Sequence, residues 1–262
     1  MGETYLRLRQ ICLVARDLGA SENLLADVLG IEVCYRDPGV GKYGLHNALF
    51  AIGGTFLEVV SPIREGTAAD RYLERRSGDG GYMFIVDCDN LEARREHFKG
   101  MGARIVEDLK SGDPVSTSEA IHLHPRDTGG CLLSIDRHSG GLDLEGGYHW
   151  AGPDWQAKDR SATLNRIIGA EIQSDDPKSL GERWSALLER PLAPFGPGKW
   201  EIALDHGFAR VVPSTDKRGE GLAAVHLDCA DPVAVIMAAR HAGLPCDHTS
   251  VDICGVRFIL SA

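Results

Sequence analysis

The feature that most constrains this chain is one plan written four times. "QICLVARDLGASENLLADVLGIEV" (10–33) and "MFIVDCDNLEARREHFKGMGARIV" (83–106) each run from an apolar strand to Asp-Leu or Asn-Leu. A helical stretch, a glycine and a second strand follow in both. "GAEIQSDDPKSLGERWSALLERPL" (169–192) and "AAVHLDCADPVAVIMAARHAGLPC" (223–246) repeat the plan with Asp-Asp-Pro or Ala-Asp-Pro ahead of the helix. An Asp there accepts from the free N–H groups of the first turn, and a Pro suits the first helical position, which needs no N–H. Gly30, Gly102 and Gly243 stand where a left-handed residue would close the helix. Further strands follow each helix: "GLHNALFAIGG" and "TFLEVVSP", "EAIHLHPRD" and "GCLLSIDRH", "KWEIALDHG" and "FARVVPS", and a shortened "HTSVDICGVRFILSA". The pattern predicts an α+β protein of four βαβββ units in two tandem domains, 1–138 and 162–262. The aperiodic stretch 139–161 reads as a linker, and its Tyr148, His149, Trp150 and Trp155 predict that it packs on a domain.

Composition narrows the function classes. The net charge of -10 argues against a nucleic-acid partner, because phosphate binding needs clustered Lys and Arg. Arg75-Arg76 and Arg94-Arg95 sit among acids, as on solvated helix faces. No apolar run is long enough for a membrane helix or a signal peptide. The seven cysteines are scattered without a C-x-x-C pair, which fits reduced core thiols and a cytoplasmic location. "GVGKYG" lacks the strand–helix context and the Lys-Ser/Thr ending of a phosphate loop, so no nucleotide cofactor is expected.

The repeated plan resembles the vicinal oxygen chelate superfamily, which includes glyoxalase I, methylmalonyl-CoA epimerase, extradiol ring-cleaving dioxygenases and bleomycin-resistance proteins. The epimerase-like members are matched over the first 138 residues, through "FLEVVSP", "GGYMFIVDCDNLEA" and "HLHPRDTGGCLLSID". The resemblance implies a fold in which two units cup one divalent metal (Fe, Zn, Mn, Ni or Co), held from the first and last strands of each. At those positions this chain has Gln10 and Glu58 in unit one, both acceptable oxygen ligands. Unit two has Met83 and Ser134, a thioether and a hydroxyl that bind hard ions poorly. The second domain has Gly169, Arg210, Ala224 and Ile259, with Arg210 repelling a cation where the carboxylate would stand. The expectation is therefore no metal, or one metal using Gln10 and Glu58, and no metal in the second domain.

Strand alternation adds the remaining candidates. In "AIHLHP", Ile121 and Leu123 share one face, while His122 and His124 share the other and turn toward the cup. The same parity sends Gln10, Cys12 and Val14 inward from the first strand, and Phe56, Glu58 and Val60 from the fourth. Gln10, Asn47, Tyr82 and Ser134 become candidate substrate contacts, though the pattern leaves the facing of His46 and Asn47 open. His97 and His241 read as surface residues. A carboxylate between Leu57 and Val59 is costly to bury without a purpose, so Glu58 is the expected general base. His122 or His124 would be the acid or polarising group. The function expected is proton transfer on a small oxygenated metabolite, by an isomerase, epimerase or lyase. An Fe(II) ring-cleaving dioxygenase using His122, His124 and Glu58 is the alternative, and a non-catalytic binder of aromatic or drug-like molecules a third. The partner expected is a small-molecule substrate, with room left for a homodimer.

Overall fold

A computed structural model describes residues 5–112 and 117–262. The first repeat is β1 (Leu6–Val14), α1 (Leu18–Leu29), β2 (Val33–Tyr35), β3 (Leu45–Ile52) and β4 (Thr55–Pro62). Helix α2 (Ala68–Arg76) leads to β5 (Gly80–Cys88), α3 (Leu91–Met101), β6 (Ile105–Gly112) and β7 (Thr117–Leu123). The single turn α4 (Pro125–Thr128) and β8 (Leu132–His138) complete the second repeat. Then come β9 (Leu164–Ser174), α5 (Pro177–Leu188), β10 (Leu192–Gly196), β11 (Lys199–Ala203) and β12 (Phe208–Pro213). The last repeat is β13 (Gly221–Cys229), α6 (Pro232–His241), β14 (Ser250–Ile253) and β15 (Val256–Ser261).

The helix boundaries follow the capping chemistry. Asp17, Asn90, Asp176 and Asp231 each accept from the backbone N–H three residues on, and Pro177 and Pro232 occupy the first helical turn. Each cap is worth about 1 kcal/mol relative to alanine. Gly30 and Gly102 close α1 and α3 in the left-handed region. At α6 the right-handed Ala242 ends the helix, and Gly243 (φ +70°), the residue predicted, takes the reversal just after it.

The strands make two curled, mixed sheets that follow the tandem order of the chain. Their strand orders are β2-β3-β4-β1-β5-β8-β7-β6 and β10-β11-β12-β9-β13-β15-β14. Hairpin neighbours are antiparallel, whereas β1 with β4, β5 with β8, β9 with β12 and β13 with β15 run parallel. No helix among the described residues is long and apolar enough to cross a membrane.

By compactness the chain divides into two units. One unit joins the chain up to Arg9 with Met83–His149 and Gly169–Leu222; the other joins Gln10–Tyr82, Trp150–Ile168 and Ala223–Ala262. In the first, Trp184 of α5 packs edge-on against Phe84 at 5.5 Å and donates Nε1–H to the Thr128 carbonyl. In the second, α1 packs on α6 and the stretch 150–163 is bound tightly. Trp155 is buried edge-on against Phe56 at 4.9 Å, and the Asp159 carboxylate accepts the N–H groups of Gly53 and Gly54. Glycine is required at 53, where φ is +54° and a Cβ would lie 1.8 Å from the Asn165 carbonyl oxygen.

Two surface assignments need correction. Arg76 and Arg94 are buried, each the inward member of its pair, and Arg94 bonds to Glu189 and the Leu188 carbonyl. His97 is half-buried with Nε2 at 2.8 Å from the Ala186 carbonyl oxygen. Arg210 is buried, as described below. His241 is exposed as expected.

Candidate functional site

The register of the parallel strand pairs aligns the four repeats residue by residue. Gln10 lies beside Phe56, and Glu58 is two residues on; Met83 lies beside Leu132, with Ser134 two on. Gly169 stands one step before the Ala170–Ala209 pair, and Arg210 follows; Ala224 lies beside Arg257, with Ile259 two on. The positions matched from sequence are therefore equivalent in space within their own repeats. Only the first repeat fills them with a pair suited to acid/base chemistry.

That pair is held by its neighbours in the unit 10–82. Glu58 is 7% exposed, and both its carboxylate oxygens accept hydrogen bonds. Gln10 Nε2 donates to one at 2.8 Å and Asn47 Nδ2 to the other at 2.6 Å. The orientation of Asn47 is fixed from its far side, because its Oδ1 accepts the Asp37 N–H at 2.8 Å. This settles the facing of β3: Asn47 points in, and His46 is exposed. The Cys12 thiol, opposite Glu58 in register, completes the surround. Burial pushes the Glu58 carboxyl above the ordinary range; hydrogen bonds from Asn47, Cys12 and Gln10 oppose this, while the Asp37 charge adds to it. Tyr82 is half-buried, and burial pushes its phenol well up, so it remains a neutral donor. Each Glu58 oxygen keeps a second lone pair, so the carboxylate can still take a proton.

The other candidates lie in the unit that contains 83–149. Ile121 and Leu123 are fully buried and His122 half-buried, as alternation predicts. His124, however, is the N-cap of α4: its Nδ1 accepts the Arg126 N–H at 3.1 Å, and the Arg104 guanidinium lies 3.4 Å away. Ser134 is buried and donates to Asp136 Oδ1. "HLHPRDTGGCLLS" thus joins two antiparallel strands through one helical turn. With His124 engaged as a cap, His124→Asn should preserve both the fold and turnover, since Asn caps equally well. A rate loss of about 10²-fold or more, with the melting temperature unchanged, would return His124 to the role of proton donor.

The corresponding position of the third repeat is filled. Arg210 bonds Glu171, its register partner, at 3.0 Å and Glu201 at 2.7 Å. Its guanidinium lies between the rings of Phe195 and Phe208, at 3.5 and 4.4 Å from their centroids. A Cβ on Gly169 would meet the Phe208 ring, so the glycine is what admits the ring where Gln10 stands in the first repeat. The partners Glu171, Glu201 and Phe195 escaped the sequence reading. Glu171 was within reach of it, since it stands where Cys12 does.

A divalent metal does not fit the inherited positions. Gln10 turns its amide N–H toward Glu58, both Glu58 oxygens are bonded by neutral amides, Ser134 is bonded to Asp136, and Met83 offers only a thioether. Among the described residues no three His, Cys, Asp or Glu side chains are grouped as for a metal. The dioxygenase alternative drew its ligands from His122, His124 and Glu58, and of these His124 is engaged as a helix cap.

The fold and the relatives are consistent with the resemblance to the vicinal oxygen chelate superfamily. The particular resemblances are to epimerases in sequence and to a glyoxalase in structure. The chain is 26% identical over 136 residues to an ethylmalonyl-CoA/methylmalonyl-CoA epimerase of Cereibacter sphaeroides, covering 50% of this chain and 97% of that one. It is 25% identical over 135 residues to the mitochondrial methylmalonyl-CoA epimerase of Mus musculus, covering 50% and 72%. The Mn(II)-bound glyoxalase of Novosphingobium aromaticivorans superposes with a TM-score of 0.65 at 14% identity, over 98% of this chain and 82% of that one. No family model matches the chain.

Proposed function

We propose that this protein is an epimerase or isomerase that removes and returns a proton on a carbon next to a carbonyl, with Glu58 as the general base. The observation that carries this is the buried Glu58 carboxylate, raised by burial and held by two neutral amides and a thiol. Neither amide nor the thiol carries a charge of its own, so the groups bonded to Glu58 do not neutralise it. Proton uptake relieves the cost of the buried charge, so a weakly acidic C–H is a fitting donor. The proton passes from the carbon to a Glu58 oxygen, and the electron pair moves onto the carbonyl oxygen as an enolate. The neutral Tyr82 hydroxyl, within electrostatic reach of Cys12, is the group of this unit suited to donate to that oxygen. The relatives act on CoA esters of substituted malonates, and that substrate class is the one proposed here. No metal enters these steps.

The test is exchange of the proton next to the thioester carbonyl in D₂O, followed by NMR with a 2-substituted malonyl-CoA. Exchange should be catalytic, and its rate should rise with pH. Glu58 must be ionised to act, and burial places its titration above the ordinary carboxylate pKa, so the rising limb should be centred above 4.5. A rate independent of pH from 4 to 8, or no exchange above background, would refute the proposal.

A further inference from the structure

The unit that holds Glu58 carries a line of side chains running from Tyr82 to the surface. The rings of Tyr82 and Tyr72 meet edge to face with centroids 5.2 Å apart. The Tyr72 hydroxyl is pinned to the Gly81 carbonyl, and the Arg75 guanidinium lies 5.1 Å from the Tyr72 ring centroid. Helix α2 explains the arrangement. Ala69, Tyr72, Leu73 and Arg76 form its buried side, while Arg71 and Arg75, one turn apart on one face, are exposed. Arg71 is steadied by a 2.6 Å bond to the Gly66 carbonyl. Among the described residues Arg75 has no carboxylate partner, in a chain with 38 acidic residues against 28 basic ones. Both guanidinium charges also reach the Tyr82 hydroxyl, acting against its burial. A favourable helix dipole accounts for basic residues in the last turn, but Arg71 lies outside that turn.

We propose that Arg75, with Arg71 one turn before it, docks an oxyanion carried by the substrate of the Glu58 site, at a point remote from the carbon that loses its proton. The inference rests on the proton-transfer function given to Glu58. The oxyanion is a phosphate of the carrier or a carboxylate of the acyl group, since a guanidinium pairs with either through parallel N–H bonds. In a protein of charge -10, an anionic substrate needs such a local exception to the repulsive field.

Calorimetry with coenzyme A and with malonate, at low salt, tests the proposal on wild type, Arg75→Gln, Arg75→Lys and Glu58→Gln. At least one probe should bind wild type and lose about tenfold or more in Kd in Arg75→Gln, with Arg75→Lys within about threefold because it keeps the charge. Loss confined to coenzyme A assigns the phosphate, and loss with malonate assigns the carboxylate. Identical constants for wild type and folded Arg75→Gln with both probes, or no binding of either probe by wild type, would overturn it. Glu58→Gln should bind as wild type does. Normal turnover by that variant would sink the role of Glu58 while leaving the binding result intact, so the two failures are distinguishable.

Discussion

Glu58→Gln should reduce turnover by about 10²-fold or more, the usual contribution of a positioned general base, without loss of stability at neutral pH. The substitution keeps the shape of the side chain and removes its ability to take a proton. Its effect on stability follows from linkage. Burial raises the carboxyl of Glu58 in the folded state, so between its unfolded and folded pKa values the native chain holds a proton that the unfolded chain releases. Stability falls as pH rises through that window, and the penalty persists above it. The amide carries no such penalty, and Gln10 can turn to present its oxygen to the new N–H, whereas Asn47 is fixed by Asp37. The variant should therefore unfold at the same denaturant concentration as wild type or a higher one at pH 7. The two should converge as pH falls toward 4. Full activity in folded Glu58→Gln would remove Glu58 from the chemistry.

Arg210→Ala should have the opposite profile, a large loss of stability with turnover per folded molecule kept within a few fold. The substitution strips the counter-charge from Glu171 and Glu201, which then face each other, and empties the space between Phe195 and Phe208. Breaking a buried pair from one side costs about 3–5 kcal/mol, and partial exposure of Glu201 places the expectation near the lower figure, about 3 kcal/mol. Denaturant unfolding at pH 7 measures it. Arg210→Ala that folds normally but has lost turnover would place the chemistry in the third repeat rather than the first.

Much of this was legible in the sequence because it is local. Asp-Pro and Asp-Leu helix starts, closing glycines and two-residue alternation depend on neighbours in the chain, so the helices that open on them and their strands could be read directly. Parity also identified Glu58 and Gln10 as facing partners, because the pleat fixes which residues share a side. What sequence could not supply were the partners brought from elsewhere in the chain. The facing of Asn47 is set by the N–H of Asp37 in a loop with no period, and His124 became a cap only where the chain turns after β7. Arg210 read as a cation in the wrong place. Only the register of β12 with β9 and β11 supplies the two carboxylates that make it a buried ion pair, because strand pairing brings Glu171 and Glu201 beside it from 39 and 9 residues away in the chain.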